Sequence, residues 1–108
     1  MQNQICQNTA DLKKRLKLAR ETRDPKMIES FLDDENSYVR EAAASNPAAT
    51  AEVLAEYAND HSIYVRAAAA DNDNIDNMQL LRLVAETYQV VHDAALANIR
   101  RRMRRGEI

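Results

Sequence analysis

Apolar residues recur with helical spacing along this chain, in two stripes that repeat every 26 residues. The first stripe begins at Val39, Val65 and Val91, each followed three and four positions later by alanine. The second stripe comprises Met27, Ile28, Phe31 and Leu32 in one period, Val53, Leu54, Tyr57 and Ala58 in the next, and Gln79, Leu80, Leu83 and Val84 in the third. Spacings of one, three, four and five place side chains on one face of a helix. The pattern therefore predicts two helices in each period.

Residues that cap helix amino termini precede both stripes. Asp24, Thr50 and Asp76, again 26 positions apart, stand before the second stripe, and Pro25 occupies a first helical position where a missing amide is tolerated. Asn36, Ser62 and Thr87 are the corresponding candidates before the first stripe. Each period is therefore predicted to be a helix, a short turn containing asparagine, and a second helix.

One hairpin of such short helices is not stable alone, so the units are expected to stack. The predicted fold is all-α, a short right-handed α-solenoid of roughly three to four stacked 26-residue helical hairpins. A single domain spans 1–108, with an N-terminal capping unit at 1–34, repeats at 35–60 and 61–86, and a C-terminal capping helix at 87–108. That last helix is expected to run from about Thr87 to about Arg105.

Composition agrees with a helical, intracellular protein. Hydrophobic residues make up 45% of the chain, much of this is alanine, and there is one glycine and no tryptophan. Cys6 is the only cysteine, which excludes an internal disulfide and a cysteine-based metal or iron–sulfur site. The sequence contains neither a signal-peptide pattern nor 18 consecutive apolar residues, so a cytoplasmic location without a membrane partner is expected.

Charge is unevenly distributed, although the net charge is only −2. Residues 1–23 carry six basic and two acidic side chains, residues 24–86 carry four and thirteen, and residues 87–108 carry five and two. An acidic middle between two basic ends bears on the choice of partner rather than on the fold.

An acidic residue precedes a basic one by six positions in each unit. The pairs are Asp34 with Arg40, Asp60 with Arg66, and Glu86 with His92. Repetition in register favours a stacking device over a unique active site. The alternative is an arginine row that binds phosphate or carboxylate.

Two long phrases of the chain resemble the leucine-rich repeat variant family and, more distantly, HEAT repeats: "DDENSYVREAAASNPAATAEVLAEYAND" and "HSIYVRAAAADNDNIDNMQLLRLVAE". The resemblance covers about residues 24–98, and its strongest motif is Val-Arg-x-Ala-Ala-Ala followed by Asn, Pro and a short leucine-bearing helix. It implies an α-solenoid, a class in which most members bind proteins and fewer bind nucleic acid or act on damaged bases. It also implies a structural ladder in which the acid accepts from the arginine and from loop amides, within and between units: Asp34, Arg40, Asp60 and Arg66.

The chain departs from these families in ways that argue against catalysis. Cys6 alone cannot supply the amino-terminal iron–sulfur module that the variant family can carry. HEAT-like DNA glycosylases use Trp and a basic cleft, whereas this chain has no Trp and an acidic middle. His61 and His92 have no partners at metal-ligand spacing, and Gly106 alone cannot form a phosphate loop. We expect no enzyme activity, metal or cofactor.

Tyr38 and Tyr64 also recur at 26 positions. We expect their rings to pack between outer helices with the hydroxyls at the surface. The alternative is a row of tyrosines that stacks bases or anchors a partner.

A protein partner is the leading expectation, with the chain acting as an adaptor or inhibitor. Solenoids present their inner helices as a concave wall, and the residues predicted to line it are Glu52, Glu56, Met78 and Arg82. Met78 and Leu81 lie outside the apolar stripe, so the last helix is expected to cover them, unless they form a contact patch. The acidic middle would also permit mimicry of nucleic acid.

The alternative is a nucleic-acid-associated protein that uses its basic ends. The candidate contacts are Lys13, Lys14, Arg15, Arg100, Arg101, Arg102, Arg104 and Arg105. The simpler interpretation of the arginine-rich tail is favourable charge at a helix carboxyl terminus.

Overall fold

The computed structural model describes the backbone of residues 4–108 and the side chains of residues 11–108; the Cys6 side chain lies outside this range. The described chain is all-α, and no strand occurs in residues 4–108. The helices are α1 (Gln4–Glu21), α2 (Pro25–Ser30) with a 3-10 turn (Phe31–Asp33), α3 (Ser37–Ala44), α4 (Ala51–Tyr57), α5 (Ile63–Asp71), α6 (Asn77–Val84) and α7 (Gln89–Arg104).

Five of the six predicted amino-terminal caps are confirmed. A side-chain oxygen accepts a backbone amide of the first helical turn at Asp24, Asn36, Thr50, Ser62 and Asp76. The sixth prediction, Thr87, is wrong. The capping residue of α7 is Tyr88, whose carbonyl accepts the first helical hydrogen bonds and whose side chain makes none.

The odd-numbered helices contact one another in succession, α1 with α3, α3 with α5, and α5 with α7, and α7 also contacts α6 extensively. Their facing alanines, among them Ala43, Ala69 and Ala95, are fully buried. Small side chains let the helix axes approach closely, so the alanine runs explain this packing. The even-numbered α4 packs on α3 and α5, and α6 packs on α5 and α7.

Larger apolar side chains fill the space between the two sets of helices. Ile28, Leu54 and Leu80, 26 residues apart, are each at most 1% exposed. Tyr57 is fully buried, and its hydroxyl donates to the Ile28 carbonyl at 2.7 Å. Burial raises the pKa of Tyr57 above its ordinary value. This hydrogen bond joins α4 to the preceding helix.

The molecule is elongated. Its principal extents are 51 × 29 × 17 Å, and its radius of gyration of 14.5 Å exceeds the value of about 13 Å expected for a compact domain of this length. Among residues 4–108, no helix has both the length and the hydropathy needed to cross a bilayer.

Candidate functional site

Arg40 and Arg66 each connect three positions along the chain. Arg40 donates through Nε and Nη2 to the two carboxylate oxygens of Asp60, at 2.8 and 3.1 Å, and through Nη1 to the Asp34 carbonyl at 2.7 Å. Arg66 repeats this arrangement with the Glu86 carboxylate and the Asp60 carbonyl. The acid six positions before each arginine therefore supplies a backbone carbonyl, and the acid 20 positions after it supplies the carboxylate.

The carboxylates of the ladder are held from two sides. Oδ1 of Asp60 accepts from the Ser62 amide at 2.9 Å as well as from Arg40. Burial alone would raise the pKa of Asp60, but these hydrogen bonds and the charge of Arg40 outweigh it and hold the pKa below its ordinary value. Asp34 forms the first rung with Arg15, whose Nε donates at 2.9 Å.

Little of the ladder is open to a ligand. The side chains of Arg40 and Arg66 are 16% and 13% exposed, and their donors are directed at protein oxygens. His92, which stands in register with them, has Nδ1 2.7 Å from the Val84 carbonyl, and the Glu86 carboxylate is occupied by Arg66. These contacts leave no row of guanidinium groups facing solvent.

A second ladder, of buried asparagines, was not assigned from the sequence. Asn72 donates through Nδ2 to the carbonyls of Ala44 and Asn46, both at 2.9 Å, and Asn98 donates to those of Ala70 and Asn72 at 2.8 and 3.1 Å. Asn46 binds carbonyls at the end of α1 in the same way. The 26-residue spacing of these asparagines was the sequence feature that could have predicted the ladder. Asparagine is also common in turns, however, so the spacing was interpreted as a turn signal and not as a set of buried hydrogen bonds.

Arg102 was predicted to contact an anionic partner, and this prediction is wrong. Arg102 is 6% exposed. Its guanidinium donates to the carbonyls of Asp73 and Ile75 at 3.0 and 2.6 Å and to the side-chain oxygens of Asn77 and Asn98 at 2.6 and 3.1 Å. Every nitrogen of the guanidinium is thus bonded to a protein oxygen.

The preceding unit explains what Arg102 does. There, Asn74 donates through Nδ2 to the carbonyls of Pro47 and Ala49, at 2.7 and 2.9 Å. The carbonyls that bind Arg102 lie 26 positions after those two. Arg102 therefore takes over, from the last helix, the role that a turn asparagine plays one unit earlier.

The other predicted basic contacts divide into paired and unpaired side chains. Arg101 binds Asp71 at 3.1 Å, and Arg105 binds Glu107 at 2.7 Å, while Arg15 belongs to the ladder. Among residues 11–108, exposed candidates without an ion pair are Lys13 and Lys14 on α1 and Arg100 and Arg104 on α7.

The four residues predicted to bind a protein partner are all exposed, on α4 and α6. Met78 is 75% exposed and Leu81 58%, so the expectation that α7 covers them is wrong. Glu52 and Glu56 occupy the positions of Met78 and Arg82 one unit earlier. Arg82 donates to Gln79 Oε1 at 2.8 Å and reaches the Ala58 carbonyl of α4 at 3.4 Å.

The four residues lie on α4 and α6, two helices that pack mainly on odd-numbered neighbours. That they line a concave wall stays a prediction. The surface of α4 and α6 that carries Glu52, Glu56, Met78, Leu81 and Arg82 is called the outer surface below.

Unpaired acidic side chains concentrate near the outer surface. Several acids of residues 24–86 are used in ion pairs or as helix caps. Those with neither role in the described part are Glu29, Asp33, Glu35, Glu41, Glu52 and Glu56. Four of these six lie on α2, its 3-10 turn or α4.

Tyr38 and Tyr64 do not pack between helices as expected. They are 68% and 59% exposed, on α3 and α5. Tyr88 is also exposed, and the guanidinium carbon of Arg66 lies 5.7 Å from the centre of its ring.

No group of three or more His, Cys, Asp or Glu that could hold a metal ion occurs in the described residues. Within the same part of the chain, every buried side-chain nitrogen and oxygen has a hydrogen-bond partner.

No protein-family model matches the chain, and no curated protein or solved structure matches it either.

Proposed function

We propose that this protein is a short right-handed α-solenoid of the leucine-rich repeat variant or HEAT-like kind, and that it works as a non-enzymatic scaffold for protein–protein interaction. Two observations support the stacked arrangement. The Arg40 and Arg66 bridges reach forward by 20 residues, and the Asn72 and Asn98 amides reach back by 26 and 28 residues, with unchanged geometry. Such repetition is what a stack of equivalent units requires.

The outer surface is the proposed contact with the protein partner. The proposal rests on the exposure of Met78 and Leu81 on α6 and of the unpaired Glu52 and Glu56 on α4. Arg82 of α6 reaches the Ala58 carbonyl at the end of α4, at 3.4 Å. An exposed apolar patch bordered by charged side chains is typical of a protein interaction site. The partner would offer an apolar anchor flanked by Lys or Arg.

Protein binding fits the use that the chain makes of its polar groups. The side chains that recur in register, such as Arg66 and Asn72, form hydrogen bonds within the protein. Recognition of a partner would therefore fall to the exposed side chains. The protein would act in the cytoplasm as an adaptor or an inhibitor.

The proposal is tested by immobilising the protein and capturing partners from nuclease-treated cell lysate. The double variants Glu52→Lys/Glu56→Lys and Met78→Ser/Leu81→Ser should each lose a partner that the unaltered protein retains. A matched charge reversal at exposed acids elsewhere, Glu21→Lys/Glu35→Lys, should retain it. Equal capture by all variants would reject the outer surface as the binding site.

Nucleic acid is the second candidate partner, favoured by the unpaired Lys13, Lys14, Arg100 and Arg104 at the two ends. Phosphate contacts would make binding fall steeply with salt. If capture disappears after nuclease treatment and is abolished by Lys14→Glu/Arg104→Glu, this second function replaces the first.

A further inference from the structure

The odd-numbered helices present a second surface, which the proposed function does not use. On α3, Tyr38, Ala42 and Ser45 follow one another at spacings of four and three residues, and so share one face. Tyr38 and Ser45 are exposed, and Ala42 is partly buried against the core. An exposed ring, a small side chain and a short polar residue thus lie in a line along the helix.

The same arrangement repeats on α5 and α7. Tyr64 and Ala68 are 26 positions after their α3 counterparts, and Val90 and Ala94 are 26 positions further. Leu16 of α1 continues the row of small or partly buried apolar residues. We call this surface the tyrosine trough: its ridge is Tyr38, Tyr64 and Val90, and its floor is Leu16, Ala42, Ala68 and Ala94.

The trough is concave where it begins. A cleft of about 510 Å³ lies between α1 and α3, with Leu16 and Ala42 at its base and Tyr38, Glu41 and Arg20 at its margins. Three of the four floor residues are alanines, so an extended segment can lie close to the helices between the longer ridge side chains.

Charge on the trough favours a cationic occupant. Glu41 has no ion pair in the described part of the chain, and Asp93, three positions after Val90, is exposed. Arg20 is the opposing cation in the cleft. Carboxylates beside aromatic rings attract Lys and Arg side chains and repel phosphates, which disfavours single-stranded nucleic acid despite the exposed rings.

The chain contains an example of this contact within itself. Arg66 places its guanidinium 5.7 Å from the ring centre of Tyr88 while its nitrogens bind the Glu86 carboxylate. A cation held between a tyrosine ring and a carboxylate is thus an arrangement that these helices already form. Tyr38 and Glu41 offer the same pair of groups, and Arg20 lines their cleft without an ion pair to Glu41.

We propose that the tyrosine trough binds an extended peptide of a partner protein, with a basic side chain at about every third residue. Packed helices are spaced by about 8–10 Å. An extended chain in the polyproline II conformation advances about 3.1 Å per residue with three residues per turn, so every third side chain faces the same side and three residues match one unit. The four odd-numbered helices would accommodate about nine residues. Arg20 would donate to peptide carbonyls at one end.

The trough and the outer surface are formed by different helices, so this inference shares the stacked arrangement with the proposed function but not its binding surface. The probe is a fluorescein-labelled nonapeptide with Arg at positions 1, 4 and 7 and Ser or Gly elsewhere, measured by fluorescence anisotropy at about physiological salt. We expect Tyr38→Ala/Tyr64→Ala to weaken binding by about tenfold. Tyr38→Phe/Tyr64→Phe should bind within twofold of the unaltered protein, because the rings are kept.

Three controls make the experiment decisive. Replacing Arg by citrulline in the peptide should abolish binding, and Glu52→Gln/Glu56→Gln on the outer surface should change it by less than about twofold. Both tyrosines are exposed, so a circular dichroism melt should show that the Ala variant remains folded.

The inference is overturned by any of several outcomes. The first is that the unaltered protein does not bind the peptide, and the second is that Tyr38→Ala/Tyr64→Ala binds it as tightly as the unaltered protein does. The third is that Glu52→Gln/Glu56→Gln loses as much affinity as the Ala variant, which would indicate general attraction to an acidic protein. Tighter, tyrosine-dependent binding of a nine-nucleotide oligo-dT would show that nucleic acid, and not peptide, occupies the trough.

Discussion

At the scale of single residues, the arginines of the ladder stabilise the fold by binding carboxylates and carbonyls of neighbouring units. Arg66 is largely buried. It donates two charge-assisted hydrogen bonds to the Glu86 carboxylate and one hydrogen bond to the Asp60 carbonyl. An ion pair of this kind adds modestly to stability when intact, but loss of one partner leaves the other charge poorly solvated. The position is therefore sensitive to truncation.

Arg66→Ala should lower the free energy of unfolding by about 2–3 kcal/mol, because the Glu86 carboxylate and the Asp60 carbonyl lose their donor. The midpoint of thermal unfolding should fall by about 10 °C or more. Circular dichroism melts provide the measurement, with Arg100→Ala, an exposed arginine on α7, as the control. Equal melting of both variants would contradict a structural role for the ladder.

Arg102→Ala should destabilise the chain by about 2–4 kcal/mol, since it leaves the buried Ile75 carbonyl, the partly buried Asp73 carbonyl and the Asn98 side chain without their donor. Arg104→Ala, two residues away and exposed, should change stability by less than about 0.5 kcal/mol. Chemical denaturation of the two variants tests this contrast. If Arg104 proved to be the sensitive position, the assignment of Arg102 to the interior would be wrong.

Asp60 makes stability depend on pH in a definite direction. Its pKa is lowered in the folded state, so it stabilises the fold fully above the unfolded-state value of about 3.9. That contribution is lost as pH falls through the lower folded-state pKa. The difference in unfolding free energy between the unaltered protein and Asp60→Asn should shrink as pH is lowered from about 5 to 2, measured by urea denaturation. A difference that stays constant over this range would exclude the ion pair as its source.

At the scale of helices, capping follows from local sequence. Thr50 accepts from the Val53 amide at 3.2 Å and begins α4, which has only seven residues. A helix of this length depends strongly on its first turn. Thr87 has the same side chain but caps no helix.

Thr50→Ala should therefore reduce the free energy of unfolding by about 0.5–2 kcal/mol, whereas Thr87→Ala should leave it nearly unchanged. Thermal melts of the two variants make a matched comparison, because the chemical change is identical. An equal effect at both positions would mean that Thr50 acts by something other than its hydrogen bond.

The sequence predicted helices and most caps because both depend on neighbours within a few residues. It did not show whether the partner of Arg40 lies six residues before it or 20 after it, because a repeat fixes spacing along the chain but not which units meet. Arg102 was missed for a related reason: in a run of arginines, only the fold determines which one turns inward.

At the scale of the molecule, two rows of helices give the chain two surfaces of different character. The outer surface combines acidic side chains with Met78 and Leu81, and the tyrosine trough combines exposed rings with an alanine floor. A scaffold with two separate binding surfaces would suit an adaptor. Both proposals require the stacked, elongated arrangement of the helices.

Small-angle X-ray scattering of the protein in solution, over a concentration series that establishes the monomer mass, tests this arrangement most directly. We expect an elongated particle, with a longest dimension near the 51 Å of the structure and a radius of gyration of at least 14.5 Å. A radius of gyration of about 13 Å, the value for a compact domain of this length, with a nearly spherical distance distribution, would contradict the stack and both proposals that depend on it.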